Sequence, residues 1–260
     1  MGTLRDAEEF RGRNAELVEL ANVELQGFFQ SLDVLGDPEL IRDALLDFVP
    51  DLVQTYGDTA AVLAADYYDM LRDASPSATA FRALLAEPAD FEQAAASTRW
   101  AISPLFQAEP DTVAAMSLLS DSVQRLILQP GRDTVFESAW ADSVRMGVAR
   151  IPSGTDTCEF CIMLASRGPV YKNEISANMV VGRGSTRTGY DKNGKRLPGG
   201  IGGGIKASGK RDVGQTFHDG CDCTTLLISS EQDWPDGYDP DKYYDMYMAG
   251  QGTGRYGTES

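Results

Sequence analysis

The four cysteines and the only histidine of this chain fall into two short clusters. The first is Cys158-Glu-Phe-Cys161, and the second begins at His218 and continues through Cys221 to Cys223. A C-x-x-C spacing lets two thiolates reach one tetrahedral ion, and H-x-x-C offers an imidazole and a thiolate in the same way. Zinc favours four sulfur or nitrogen ligands, so the spacing predicts a zinc site.

Five candidate ligands compete for the four places of such a site, so Cys221 and Cys223 are alternatives, or one of them lies outside the ligand set. Two other interpretations stay open, namely two disulfides, or four free buried thiols with an unrelated His218. If protein side chains fill all four positions, no position remains for a catalytic water. The predicted role of the zinc ion is therefore structural.

Net charge is −16 at neutral pH and is distributed unevenly along the chain. Residues 1–150 carry 11 basic and 25 acidic side chains, a net charge of −14. Residues 151–218 carry 10 and 5, a net charge of +5, whereas residues 219–260 carry 2 and 9, a net charge of −7. General coating of nucleic acid needs concentrated lysine and arginine, so the balance excludes that function for the chain as a whole.

Membrane insertion and export are not expected. The sequence has no run of about 18 apolar residues, which a membrane-spanning helix would need. The segment Met1–Arg13 is charged and lacks the apolar core of an export signal. We therefore expect no membrane partner, and a reducing cytoplasm as the compartment before the protein reaches its destination.

Helical periodicity runs through the first part of the chain. It predicts a helix over residues 4–32, a second helix from Pro38, a longer helix to about Asp73 that Pro50 either starts or kinks, and a shorter helix over residues 88–100. The apolar stripe of the first helix is Phe10, Leu17, Leu20, Val23, Phe28 and Leu32. These patterns predict a mainly α fold with a helical domain over residues 1–150.

A further helix begins where Asp111 can act as its N-cap. Proline and glycine at Pro130-Gly131 should end it, and Thr134-Val-Phe-Glu137 has the form of a capping box that opens the next helix. The predicted apolar stripe before this break is Val113, Met116, Leu119, Val123, Leu126 and Ile127.

The composition and the residue pattern of the sequence change after residue 150. We expect residues 151–230 to form a small, irregular α+β zinc-knuckle domain, in which Thr224–Ile228 is a strand. A long glycine-rich, basic insertion at residues 182–214 should be flexible by composition. Residues 231–260 form an acidic tail with aromatic residues, in which several tyrosines fit a short helix.

The glycine-rich insertion is the one place where contact with phosphate is plausible. It lacks the G-x-x-x-x-G-K-[ST] order of a nucleotide-binding loop. Its cations are candidate DNA contacts, and the alternative is a solvated loop that balances an acidic neighbour. The candidate contacts are Arg183, Arg187, Lys192, Lys195, Arg196, Lys206, Lys210 and Arg211.

Enzymatic sites find little support in the residues. His218 is the only histidine, so any catalytic triad would have to use a probable metal ligand. A deaminase-type zinc site needs H-x-E upstream of C-x-x-C, and here the order is reversed. No H-E-x-x-H motif or nucleophile elbow occurs. Helical packing and a structural zinc ion remain the main features to explain.

Several stretches together resemble the MuF-like minor head proteins of tailed bacteriophages, and most closely the form found in phages of actinobacteria. The resemblance covers about residues 38–228. It rests on residues 56–68, on Gly131-Arg-Asp-Thr134, on residues 149–154, and on the two cysteine clusters with their flanks at residues 157–171 and 217–223. The second cluster is similar to the H-x-x-C-x-C signature of that family.

This resemblance implies a structural minor capsid protein that lies inside the head or at the portal vertex of the virion, and in the host cytoplasm during assembly. Its implied partners are the portal protein and the major capsid protein, and its implied roles are head assembly and genome packaging or delivery. A head maturation protease, or another zinc-dependent hydrolase, is the alternative function. A module that contacts packaged DNA inside the head is the second alternative.

Overall fold

A computed structural model describes residues 3–32, 36–74, 80–144, 146–152, 159–169, 221, 223–228 and 235–250. The described chain is mainly helical, as predicted, and includes a two-stranded sheet. None of its helices is long and apolar enough to cross a membrane.

Helix α1 spans Leu4–Ser31 and matches the predicted first helix. A capping box starts it, because Asp6 N–H donates to Thr3 Oγ1 over 3.1 Å while Thr3 N–H donates to the Asp6 carboxylate over 2.8 Å. Its predicted apolar stripe is partly wrong, since Leu20 and Val23 are 59% and 63% exposed. The buried face is rotated towards Val18, Ala21, Leu25 and Phe29.

Helix α2 spans Pro38–Asp73 as one continuous helix, so the alternative of a new helix starting at Pro50 is wrong. Asp37 caps it, because Glu39 N–H donates to the Asp37 carboxylate over 2.9 Å. Helix α3 spans Phe91–Ala101, close to the predicted range, and a short 3₁₀ helix follows at Ser103–Phe106.

Helix α4 spans Thr112–Ala141, and the predicted break at Pro130-Gly131 does not occur. Close packing against α2 explains why the helix continues. A Cβ atom on Gly131 would lie 2.9 Å from the carbonyl oxygen of Ala60, and one on Gly57 would lie 3.4 Å from Pro130 Cγ. Pro130 and Gly131 weaken α4 locally, but they also let α4 and α2 approach closely. This packing offsets the backbone hydrogen bond that Pro130 cannot donate.

Helices α1 to α4 enclose the first hydrophobic core. Aliphatic residues dominate it, and its fully buried members include Leu25, Leu45, Leu119, Leu126 and Ile127. The predicted stripe of α4 is correct for its later residues, but Val113 at the start of the helix is 79% exposed.

The remaining elements lie against the end of this bundle. Strand β1 (Gly147–Ile151) pairs antiparallel with strand β2 (Thr224–Ile228), so that Ala149 faces Leu226. Helix α5 spans Glu159–Ala165 and helix α6 spans Pro240–Met248. The β2 strand and the short helix in the acidic segment were both predicted, whereas β1 was not.

A second hydrophobic core joins these elements to the bundle. It contains Phe10 of α1, Tyr67 and Tyr68 of α2, Phe136 of α4, and the three cysteines described below. Strand β1 runs across residue 150, where the sequence suggests a domain boundary. The division into segments at residues 150 and 230 stays a prediction.

Candidate metal centre

Three buried cysteines, Cys161, Cys221 and Cys223, lie together in the second core. Their sulfur atoms are all within 4.8 Å of one another, and Cys161 Sγ lies 3.5 Å from Cys221 Sγ. Each residue is at most 5% exposed, and none of the three forms a disulfide. The predicted meeting of the two distant clusters therefore occurs, and Cys221 and Cys223 both take part.

The elements around each cysteine explain this convergence. Cys161 lies on α5, whose following apolar residues Ile162 and Leu164 are buried. Cys223 directly precedes β2, and Cys221 is two residues further back. The pairing of β2 with β1 therefore fixes the position from which the second cluster reaches α5.

The spacing of the sulfur atoms suits a tetrahedral ion. Zinc–sulfur bonds of about 2.3 Å in tetrahedral geometry place sulfur atoms about 3.8 Å apart. The Cys161–Cys221 sulfur separation of 3.5 Å, and the bound of 4.8 Å on all three separations, are compatible with this value. These three side chains are thus able to hold a metal ion.

The pKa of the Cys223 thiol reflects the crowding of the three cysteines. A hydrogen bond with Cys161 lowers the pKa of the Cys223 thiol, but a hydrogen bond with Cys221 and burial raise it, and the pKa lies well above its ordinary value. Three thiolates crowded together in a buried site repel one another. A divalent cation would relieve this repulsion and displace the protons, so binding would weaken as pH falls.

Arg132 of α4 contacts the backbone of the second cluster. Its Nη2 donates to the carbonyl oxygen of Cys221 over 2.6 Å and lies 3.5 Å from that of Cys223. The side chain is only 6% exposed. Burial lowers the pKa of Arg132, while the charges of Cys221 and Cys223 raise it. The guanidinium is therefore an electrostatic partner of the cysteines.

Two more side chains surround the cysteines. Arg150, the fourth residue of β1, is fully buried, and its charge lowers the pKa of Cys223. Burial raises the pKa of Tyr243 on α6, and the charge of Cys223 raises it further. Helix α6 packs against α5, so the acidic aromatic segment lies next to the candidate site.

Polar contacts also tie this region to the bundle. The Tyr67 hydroxyl of α2 donates to the carbonyl oxygen of Thr225 in β2 over 3.2 Å. Beyond the end of α4, Asp142 accepts a hydrogen bond from Arg72 Nε over 2.5 Å and one from the Tyr68 hydroxyl over 3.1 Å. This buried network fixes Asp142 at the point where the chain leaves α4.

A cavity of about 500 Å³ lies beside the candidate centre, between α1, α4 and the start of β2. Its lining includes Arg132 and Cys223, together with polar residues of α1 such as Asn14 and Asn22. The cavity therefore borders the cysteine cluster at Cys223, on the side where α1 and α4 lie.

Some predicted site residues lie outside the described part of the chain. These are Cys158 and His218, and all of the candidate DNA contacts, Arg183, Arg187, Lys192, Lys195, Arg196, Lys206, Lys210 and Arg211. The glycine-rich insertion lies outside it as well. Sequence reasoning missed Arg132, Arg150 and Tyr243, although Arg132 belongs to the stretch Gly131-Arg-Asp-Thr134 that carries part of the resemblance.

Comparison with known proteins places the chain in a family. A family model described as VG15 protein matches residues 1–250, which include every element described above. The chain belongs to the VG15 protein family. It is also similar to the Gene 15 protein of Mycobacterium phage D29, with 24% identity over 188 residues. That alignment covers 72% of this chain and 66% of the phage protein, just under two thirds of its length. No solved structure matches the chain.

Proposed function

We propose that this VG15 family member is a structural minor head protein of a tailed bacteriophage, of the MuF-like type, with a zinc ion that fastens its C-terminal elements to the helical bundle. The observation that carries the proposal is the buried meeting of Cys161, Cys221 and Cys223. Similarity to a mycobacterial phage protein supports the phage context.

The chemistry of the ligand set supports a structural role for the metal. Structural zinc sites are rich in cysteine, whereas catalytic sites combine histidine, carboxylate and a bound water. Three thiolates are at hand, and the fourth ligand would be Cys158 or His218, each three residues before a described cysteine. With His218 a zinc centre would carry a charge of −1, and with Cys158 a charge of −2.

The metal part of the proposal is tested by elemental analysis of protein purified under reducing conditions without added zinc. We expect one zinc ion per chain. The variants Cys158→Ser and His218→Ala identify the fourth ligand, because the variant lacking it loses affinity whereas the other retains it. A chain that contains no metal and binds none on titration would overturn this part.

The phage part is tested by quantitative mass spectrometry of purified virions and proheads, together with capture on immobilised portal protein. We expect a few copies per head, inside the capsid or at the portal vertex, and binding to the portal protein. The major capsid protein and packaged DNA are the further expected neighbours. Absence of the protein from both virions and proheads would contradict this function.

A further inference from the structure

Arg132 of α4 contacts the backbone of both Cys221 and Cys223. Arg132 Nη2 donates to the carbonyl oxygen of Cys221 over 2.6 Å and lies 3.5 Å from the carbonyl oxygen of Cys223. The guanidinium therefore ties the backbone of both cysteines to α4, and the sulfur atoms of both lie within 4.8 Å of that of Cys161.

The position of Arg132 is itself fixed by the packing of α4 on α2. Gly131 allows the two helices to approach, since a Cβ there would lie 2.9 Å from the Ala60 carbonyl oxygen. Thr134 Oγ1 accepts a hydrogen bond from Ala86 N–H over 3.0 Å. The stretch Gly131-Arg-Asp-Thr134 thus combines a close helix contact, a loop contact and an arginine that reaches the cysteines.

Charge gives Arg132 a second role. A zinc ion with three thiolates and one neutral ligand carries a net charge of −1, and this charge would be buried because all three cysteines are. A buried charge is costly unless an opposite charge lies nearby. Arg132 is almost fully buried and hydrogen-bonds to the Cys221 backbone, so its guanidinium is placed to supply that charge.

We propose that Arg132 is the positioning residue of the metal centre: its guanidinium orders the Cys221–Cys223 backbone for metal binding and balances the charge of the thiolates. The inference rests on the proposed zinc site. It makes the affinity for metal depend on the folded bundle, because α4 carries the side chain that orders the second cluster. Residues that hold metal ligands in place typically change metal affinity about 10- to 100-fold when they are replaced.

The test measures zinc affinity of the full chain by competition with a chromophoric chelator, for the wild type and for Arg132→Met, Arg132→Lys and Arg125→Met. Arg125 is the matched control, because it lies on the same helix and its guanidinium contacts Ser97 of α3. We expect Arg132→Met to lose affinity about 10- to 100-fold and Arg125→Met to keep it. Arg132→Lys should recover part of the loss, since it retains the charge but not the planar fork.

A second readout separates positioning from simple destabilisation. Cobalt(II) at saturating concentration reports the ligand geometry through its visible absorption bands. We expect altered band positions and intensities in Arg132→Met, and wild-type bands in Arg125→Met, while circular dichroism shows full helix content in both. If Arg132→Met does not fold, Arg132→Lys decides by the same two measurements.

The outcomes distinguish this inference from the proposed function. A wild-type chain that binds neither zinc nor cobalt would overturn both. Wild-type binding together with unchanged affinity and spectra in the folded Arg132 variants would overturn the role of Arg132 alone. Equal losses in Arg132→Met and Arg125→Met would also overturn it, because a general loss of stability would then explain the effect.

Discussion

The two cores of this protein differ in what holds them together. The first lies among α1 to α4 and consists mainly of aliphatic side chains from helices of 28, 36, 11 and 30 residues. The second contains three cysteines and two tyrosines, and the buried arginines Arg132 and Arg150 adjoin it. Its own elements are two strands of five residues and a helix of seven.

The length of the elements explains this difference. Long amphipathic helices carry enough apolar surface to form a core by packing on one another. A five-residue strand pair and a two-turn helix are marginal by themselves. The second core therefore depends on links between distant parts of the chain, namely the cysteine cluster, the Arg132 contact and the Tyr67–Thr225 hydrogen bond.

Removal of one candidate metal ligand should have the largest effect, and this effect should be confined to the second core. Cys161→Ser is expected to abolish tight zinc binding, which in small domains contributes on the order of 10 kcal/mol or more. Limited proteolysis followed by mass spectrometry should show new cleavage around β1, α5 and β2. The matched control is Met163→Leu on the same helix, which changes a buried side chain without removing a thiol. In this variant β1, α5 and β2 should stay resistant to the protease. Cleavage spread evenly over α2 and α4 would contradict the separation of the two cores.

The network at the end of α4 should give the next largest effect. Asp142→Ala leaves the Arg72 guanidinium buried without its carboxylate, so we expect a loss of about 3–5 kcal/mol in the free energy of unfolding. Chemical denaturation monitored by circular dichroism measures this loss. A loss below about 1 kcal/mol would mean that the pair is not buried in solution.

The pH dependence of stability tests the same network. Burial raises the pKa of Asp142, but hydrogen bonds from Arg72, Val144 N–H and Tyr68, with the charge of Arg72, outweigh burial and hold it below its usual value. A carboxyl group with a lowered pKa stabilises the fold above its unfolded pKa, about 3.9, and this contribution is lost as pH falls through its folded pKa. Asp142→Asn should remove this part of the pH dependence of the free energy of unfolding. If that dependence is unchanged in the variant, the Asp142 carboxylate does not stabilise the fold in this way.

Alanine substitutions at two glycines of the bundle should change its stability by smaller amounts and in opposite directions. Gly131→Ala would place a Cβ 2.9 Å from the Ala60 carbonyl oxygen, so we expect a destabilisation of about 1–3 kcal/mol. Gly12→Ala is the matched control on α1, where nothing lies within 4 Å, and alanine should stabilise that helix by about 1 kcal/mol. Thermal unfolding measures both variants. The same sign of change at both positions would contradict the close approach of α4 to α2.

The smallest effect should come from the hydrogen bond that joins the two cores. Tyr67→Phe removes the donor to the Thr225 carbonyl oxygen, at an expected cost of about 1 kcal/mol. The variant should expose β2 to faster hydrogen exchange and leave the exchange of α4 unchanged. Tyr56→Phe is the control, since its hydroxyl contacts Glu24 on the exposed side of the bundle. Equal effects of the two substitutions would show that Tyr67 makes no special link.

The sequence predicted those features that depend on local pattern. Helices α1 and α3, the cap at Asp111 and the strand β2 follow from periodicity and capping residues. The meeting of the two cysteine clusters follows from ligand spacing, and it is present for Cys161, Cys221 and Cys223.

The features that it did not predict depend on contacts between distant residues. Pro130-Gly131 is a local signal for the end of a helix, but the facing groove at Gly57 and Ala60 favours a continuous α4. Strand β1 has an arginine at its fourth position, and its partner strand lies far along the chain. Arg132 is one of 23 basic residues, and only the fold brings it to the cysteines.

Hydrogen exchange with and without bound metal tests the central claim most directly. The full chain is compared after zinc loading and after removal of the metal by a chelator under reducing conditions, with peptide-level mass spectrometry. We predict faster exchange in β1, α5 and β2 on metal removal, while the interior of α2 and α4 keeps its protection. Equal exchange in the two states throughout β1, α5 and β2 would contradict a metal ion that fastens this region to the bundle.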